Sequence, residues 1–524
     1  MLGFLTILLS LISAASLPAS LERFTPIPDS NEYPRGIKVS EKYRILVKLA
    51  SDESLWDASI HSTATYKLWP DYLDPQYLPR KHSQTAVHIA QVDSDERIRI
   101  RIEMIDGRLI ETLRLKPTRL RELAETQRYG SSWVEFEVDP YRFTRSILVE
   151  VNAPERDTDA LQDGLVFFLN PPSRIPKGNT LVLPTGVIDE SSPYLDELNR
   201  LLITEESPYD ALYIPQDTLV DGRVDIRKPG FRVFGRGMII GSRWPFVKAH
   251  PNWRDGYPPW ITPDGEIVKP LLNYKAASPE NGYSGHFEGV LVAHPYHFCI
   301  GSAEMNENLK TFGWRFSSDG IHGEHKRGSF MRVNDDATYA AEGSIEDCVY
   351  WGMVNGACFQ FGWGGDQDKT TPVYVRRCDV LRGEWDNLPN PGADGVGSPT
   401  AYATRPKGPN AAANRAVFSG TFRGAEELTV RHKYFIDIRV DAQVNRLFYF
   451  GSRTEQVSYE DFLLKDIWFE KIPEYAGGIT NVLSGKFTIK DFIFENVVIE
   501  GKKAMSLSDF APLEQRNVQN AVFR

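Results

Sequence analysis

Apolar and polar residues alternate in short runs through the N-terminal part of the chain. Ile98, Ile100 and Ile102 alternate with Arg97, Arg99 and Arg101. A period of two with one charged face predicts a strand half-buried in a sheet. Residues 43–49, 86–92, 98–104, 133–138 and 146–151 alternate or cluster β-forming residues in the same way. Many short strands between polar turns predict a β-sandwich over residues 22–175.

After about residue 179 the pattern changes. From Phe462 the chain reads F-L-L-K-D-I-W-F-E-K-I, and from Phe487 it reads F-T-I-K-D-F-I-F-E-N-V. The two stretches align at an offset of 25, which pairs Phe462 with Phe487, Asp466 with Asp491 and Glu470 with Glu495. I-D-I-R-V-D at 436–441 and I-E-D-C-V-Y at 345–350 are weaker versions. A short β-rich unit recurring every 20–30 residues is the mark of a solenoid, in which stacking buries the apolar face that no single unit could bury. The alternation of Phe492 and Phe494 changes parity at Asn496, and Asn tolerates the left-handed backbone that turns one sheet into the next. The expected fold is therefore all-β: an N-terminal β-sandwich followed by a right-handed parallel β-helix over residues 179–505. Segments with a 3.6 period are scarce, and one short helix is expected over residues 194–203.

Length agrees with that division, since 524 residues exceed what one compact core serves. The 60 Lys and Arg against 70 Asp and Glu give a net charge of -10 without basic clusters, so nucleic acid is excluded as a partner. Residues 2–12 are almost continuously apolar and are followed by Ser13, Ala14 and Ala15. Such a run is too short to span a bilayer and predicts a signal peptide over residues 1–15. No later run of about 18 apolar residues follows. A secreted, extracellular monomer with no membrane anchor is expected. Cys299, Cys348, Cys358 and Cys378 are the four cysteines. They allow two disulfides in three pairings, or four buried thiols. No C-x-x-C pair is present, and no metal or cofactor is expected.

Three carboxylates carry the candidate chemistry: Asp319 in S-S-D-G-I, and Asp335 and Asp336 in V-N-D-D-A. Sixteen residues separate Asp319 from Asp335, the length of one short rung, and neighbouring rungs stack about 4.8 Å apart. Glycoside hydrolysis needs a protonated acid for the leaving oxygen and a carboxylate for the attacking water. Crowded like charges raise one carboxyl's pKa and keep it protonated. Against this, adjacent residues of a regular strand face opposite ways, so Asp335 and Asp336 share a face only at a strand end or bulge. An Asp-rich turn is the alternative.

The run G-W-R-F-S-S-D-G-I, F-M-R-V-N-D-D-A, S-I-E-D-C-V-Y-W-G and N-G-A-C-F-Q-F-G-W-G between Gly313 and Gly364 resembles the core of glycoside hydrolase family 49, the dextranase and isopullulanase family. R-V-F-G-R-G-M-I-I-G-S from Arg232 resembles the family's first rungs. The resemblance covers about residues 22–500. It implies a sandwich followed by a pectin-lyase-like β-helix, an inverting mechanism without metal, Asp335 as general acid, and Asp319 and Asp336 as the carboxylates that activate water. The implied substrate is a neutral polysaccharide of dextran or pullulan type. Acid and base in an inverting site stand roughly 6.5–9.5 Å apart. Trp314, Trp351, Trp363, Gln360 and Asn334 are candidates for the sugar subsites, where aromatic faces stack on pyranose rings, although each tryptophan would serve equally in a core ladder. One departure stands out. Thr338 and Tyr339 occupy the place where the family resemblance implies a Lys. The G-H-G and R-I-K motifs of polygalacturonases are absent. A non-catalytic carbohydrate-binding β-helix remains the reading from another class.

Overall fold

The structure is a computed structural model. It describes residues 22–23, 37–53, 56, 59–66, 86–155, 157, 161–173, 175, 178–241, 270–275, 285–314, 318–341, 343–352, 356–362, 370–384, 416–422, 427–444, 446–452, 456–473, 486–510 and 518–524. The expected signal peptide over residues 1–15 lies outside them.

Among the described residues, ten strands form the N-terminal sheet. Its hydrogen-bonded path runs through Leu113–Lys116, Arg145–Val151, Gly164–Asn170, Ala86–Asp93, Ser59–Tyr66, Ile37–Leu49, Ile98–Met104, Trp133–Val138 and Arg128–Tyr129. The pairings along this path are antiparallel, except that Gly164–Asn170 runs parallel to Ala86–Asp93. Ile37–Leu49 is bulged between Val39 and Arg44, which bends the sheet. Its two ends close on one core that holds Ile100 and Phe136 from one end and Val149 and Phe167 from the other. The period-two reading of Ile98–Met104 is met in full. Its three isoleucines are buried, and Arg99 and Arg101 pair across the strand with Glu137 at 2.6 Å and Glu135 at 2.8 Å.

From Thr180 to Phe523, the described residues hold 28 strands of one wound sheet, a parallel β-helix. The described helix of the chain lies elsewhere, at Arg121–Thr126. Residues 194–203 hold turns and the strand Arg200–Ile203, not the expected helix. Asp196 Oδ1 accepts from the Leu198 and Arg200 amides, and Asn199 is left-handed at φ 54°, so local side-chain bonding wins over helix. Rings stack through the solenoid core, with Phe462 on Phe492 at 4.5 Å and Phe494 on Phe523 at 4.6 Å.

The repeat exists, but its register differs from the sequence alignment. Phe462 stands over Phe492 and Lys465 over Glu495, an offset of 30. Each of these rungs turns twice through left-handed residues five apart: Asp461 and Asp466, then Asp491 and Asn496. The alignment at 25 matched the second corner of one rung to the first corner of the next. Asn496 Nδ2 donates to Asp466 Oδ1 at 2.7 Å, locking corresponding corners together.

The N-terminal domain packs on one flat side of the solenoid. Ile89, Leu148, Val166 and Phe168 meet Leu219, Ile240, Leu291, Phe330 and Leu381 in a single apolar seam. Charges are buried in it as pairs. Arg382 bonds Glu150 at 2.9 Å, Arg332 bonds Glu384 at 3.2 Å and Arg236 bonds Asp93 at 3.0 Å. All four cysteines are free thiols buried in the solenoid core. Among the described residues, no helix is long and apolar enough to cross a membrane.

Candidate active site

The three aspartates lie where one side of the solenoid turns into the next. Asp335 and Asp336 sit in the bend between Phe330–Val333 and Thr338–Tyr339, and Asp319 precedes the strand Ile321–Arg327. The bend removes the alternation that would have sent Asp335 and Asp336 to opposite faces. Ile321 pairs with Thr338 and Thr338 with Phe359. The backbone continues this register into the corner, with Gly320 N donating to Asp336 O at 2.9 Å and Ala337 N to Ala357 O at 2.8 Å. Asp319 and Asp336 therefore hold equivalent places in consecutive rungs, two residues ahead of Ile321 and Thr338.

Close backbone approach makes the corner possible. A Cβ at residue 356 would overlap the Asp335 carbonyl and the Asp336 amide, so only glycine fits there. Asn334 pins the bend from beneath, donating from Nδ2 to Trp314 O at 3.0 Å and from its amide to Ser318 Oγ at 3.1 Å.

Asp336 is 1 % exposed and Asp319 4 %, whereas Asp335 is half-buried. Asp336 Oδ1 accepts from the Ala357 amide at 3.0 Å, and Gln360 Nε2 lies 3.3 Å from both Asp336 oxygens. Tyr339 Oη lies 3.1 Å from Asp319 Oδ2 and 3.3 Å from Asp336 Oδ2. Burial pushes the Tyr339 hydroxyl well above its ordinary pKa, and the charges of Asp319, Asp336 and Asp335 push it further. It stays protonated and donates. His322 Nε2 stands 3.4 Å from Asp319 Oδ2. Asp335 Oδ1 accepts from the Asp336 amide at 2.9 Å. Carboxylates of unequal burial in one corner are what acid–base chemistry requires.

Four of the residues expected at sugar subsites are placed differently. Trp314 and Trp351 are almost wholly buried in the seam with the N-terminal domain. Their rings clasp the Arg332 guanidinium, at 3.8 Å and 4.6 Å. This side of the solenoid is covered by a second domain, so an outward-pointing ring there meets protein and not solvent. Gln360 is fully buried. It spends its amide on Asp336, and its Oε1 accepts from Phe361 N at 3.1 Å. Asn334 is buried beneath the bend. Gln360 thus orients Asp336, and Asn334 holds the bend that carries the acids. Trp363 lies outside the described residues.

Tyr339 and His322 are the site residues that sequence reasoning missed. Tyr339 entered the sequence reading only in place of an implied lysine. Their signal was positional. His322 lies one rung before Tyr339, and Tyr339 pairs directly with Gln360. A cavity of about 250 Å³ at the domain junction is lined by Arg119, Tyr141, Arg145, Asp347, Arg377 and Asp379 and by none of the three aspartates. Its charges serve the junction. Arg119 bonds Asp379 at 2.7 Å and Asp437 at 2.8 Å, and Arg377 bonds Asp347 at 2.7 Å.

No protein-family model matches the chain. Dextranases from Arthrobacter globiformis and from Arthrobacter sp. strain CB-8 are each 30% identical to it over 146 residues, 25% of this chain. The match spans 22% of the length of each of those relatives. Among solved structures, Dex49A from Penicillium minioluteum aligns with a TM-score of 0.66 over 95% of this chain and 96% of its own, at 14% identity. The overall fold is thus shared with Dex49A, and the chain resembles glycoside hydrolase family 49.

Proposed function

We propose that this protein is a secreted glycoside hydrolase that cleaves internal α-glucosidic bonds of a dextran- or pullulan-like glucan with inversion. Asp335 is the general acid, and Asp319 with Asp336 activates water. The observation that carries this reading is the stacking of Asp319 on Asp336 in consecutive rungs, with the less buried Asp335 beside them. The similarity to dextranases supports the substrate class.

In the reaction, the Asp335 proton passes to the glycosidic oxygen as the bond from that oxygen to C1 breaks. A water attacks C1 from the opposite face, and its proton passes to the Asp319–Asp336 pair. Asp335 suits the acid because it is the most accessible of the three. Asp336 suits the charged partner because the Ala357 amide and Gln360 both donate to it, and donors favour the ionised form.

The test is a substrate panel. Purified protein is incubated with dextran, pullulan and polygalacturonate, reducing ends are counted, and the first anomer formed is read by proton NMR. Reducing ends from an α-glucan with β-anomer first are expected. An α-anomer first would overturn inversion, and release from polygalacturonate alone would overturn the glucan assignment. Tyr339 in place of a lysine favours one second reading, a glucan-binding β-helix without turnover. That reading predicts binding to dextran and no reducing ends.

A further inference from the structure

We propose that Tyr339 and His322 form a positioning clamp that holds Asp319 and Asp336 in register through a neutral hydroxyl and an imidazole. This rests on the hydrolase reading of the same corner. Two columns run side by side up the solenoid. One holds the acids Asp319 and Asp336 in consecutive rungs. The other holds His322, Tyr339 and Gln360, fixed in register by the pairing of Ile321 with Thr338 and of Tyr339 with Gln360. Each member of the second column faces the first. His322 Nε2 is 3.4 Å from Asp319 Oδ2. Tyr339 Oη reaches both acids, at 3.1 Å and 3.3 Å, and Gln360 Nε2 reaches Asp336 at 3.3 Å.

The second column is itself rigid. The His322 ring stacks on Phe298 at 4.6 Å and 24°, and lies 4.8 Å from the Tyr339 ring on a neighbouring rung. Neither ring can swing away from its carboxylate without losing that packing. A phenol carries one proton, so Tyr339 donates to one acid at a time. The second short contact is then a hydrogen bond only when its carboxyl holds a proton. The trio of Asp319, Tyr339 and Asp336 is built to share protons, with the imidazole of His322 standing at the Asp319 end. The titratable groups facing Tyr339 are Asp319, Asp335, Asp336 and His322, with the Cys299 thiol behind Asp319.

A hydroxyl donated to a carboxylate favours its ionised form, and an ammonium favours it more. Tyr339→Phe therefore raises the pKa of the acid pair, and Tyr339→Lys lowers it. Two readouts are taken on the full chain. One is the pH profile of kcat/KM on dextran. The other is carboxyl titration by NMR with ¹³Cγ-aspartate, assigned with Asp319→Asn and Asp336→Asn. Tyr339→Phe is expected to move the carboxyl midpoints and the acid limb upward by about one pH unit, with kcat/KM reduced about tenfold. Tyr339→Lys moves both downward. Unchanged midpoints in Tyr339→Phe overturn the clamp, and turnover in the parent protein then leaves the hydrolase reading standing. Shifted midpoints without reducing ends from any glucan keep the clamp and remove the hydrolase reading. Should Tyr339→Phe not fold, His322→Gln reads the same carboxyls: its expected signature is a raised Asp319 midpoint, and an unmoved one overturns the clamp.

Discussion

The seam between the domains and the aspartate corner both bury carboxylates, and they hold them by opposite means. In the seam each acid meets fixed cations. Glu150 has Arg382 at 2.9 Å, Arg114 at 2.7 Å and Lys116 at 3.5 Å. Burial would raise its pKa, but Lys116, Arg382 and Arg114 together hold it below the usual carboxylate value. In the corner the partners are a phenol, a primary amide, a backbone amide and one imidazole. Around Glu150 the cations favour the charged carboxylate, and such a group is structural. A hydroxyl and amides orient a carboxylate without a fixed charge and leave its proton free to move. The contrast separates the acids that hold the molecule together from the acids suited to chemistry.

The sharpest way to break that comparison is to remove one charge from each side. Asp335→Asn takes away the proposed proton donor and keeps the size of the side chain. It should lower kcat by on the order of 10³-fold, about 4 kcal/mol in the barrier, with the Tm unchanged. Activity preserved in that variant would sink the assignment of the acid. Glu384→Gln is the mirror experiment. It strips the carboxylate from Arg332, whose pKa burial already pushes down to about 10, and from the Leu161 amide, which donates to Glu384 Oε1 at 2.6 Å. Leaving a buried cation without its partner costs about 3 kcal/mol or more. Urea denaturation should show that loss. A stable Glu384→Gln protein would mean that the seam's charges are dispensable.

Much of the fold was legible because its signals are local. The isoleucine and arginine alternation at Ile98–Met104 needs only a period of two, and the left-handed bend at Asn496 only one residue type (φ 52°). Register was misread because rungs of this solenoid carry two corners of similar chemistry, and Asp466 and Asp491 look alike although they turn different corners. The convergence of the three aspartates on one corner was legible, since their spacing is close to a rung. The site was not legible in its aromatics. Whether Trp314 and Trp351 face sugar or protein depends on a domain more than 140 residues away in sequence, packed over the same sheet. Tyr339 could not be read from type alone either, since its role comes from standing beside acids of two different rungs.

A third variant tests how rigid the corner must be. Gly356→Ala places a methyl against the Asp335–Asp336 backbone, so the bend must shift. A displacement of about 1 Å at reacting groups costs on the order of 10²-fold in rate. The expected outcome is that loss in kcat with a modest fall in Tm, since the apolar core beneath is untouched. A fully active Gly356→Ala protein would show that the corner tolerates slack, contrary to the tight registry drawn above.

The smallest effect concerns acid stability, and it belongs to the junction alone. Asp157 in the N-terminal domain accepts from Lys471 Nζ at 2.7 Å and from the Gln443 amide at 3.1 Å, both in the solenoid, and from Arg114 at 2.7 Å. Burial acts to raise its pKa. The Lys471 bond, the charge of Lys116, the Gln443 amide and the charge of Arg114 outweigh it and hold the carboxyl well below its ordinary value of 3.8. A carboxyl depressed on folding adds stability above its unfolded pKa and loses it as pH falls through the folded one. Asp157→Asn should therefore be less stable than the parent at pH 6, and the gap should close on acidification below about pH 4. Thermal melts across that range measure it. A gap that stays constant with pH would mean that Asp157 acts through its shape and hydrogen bonds and not through its charge. The junction would then differ less from the corner than its ion pairs suggest.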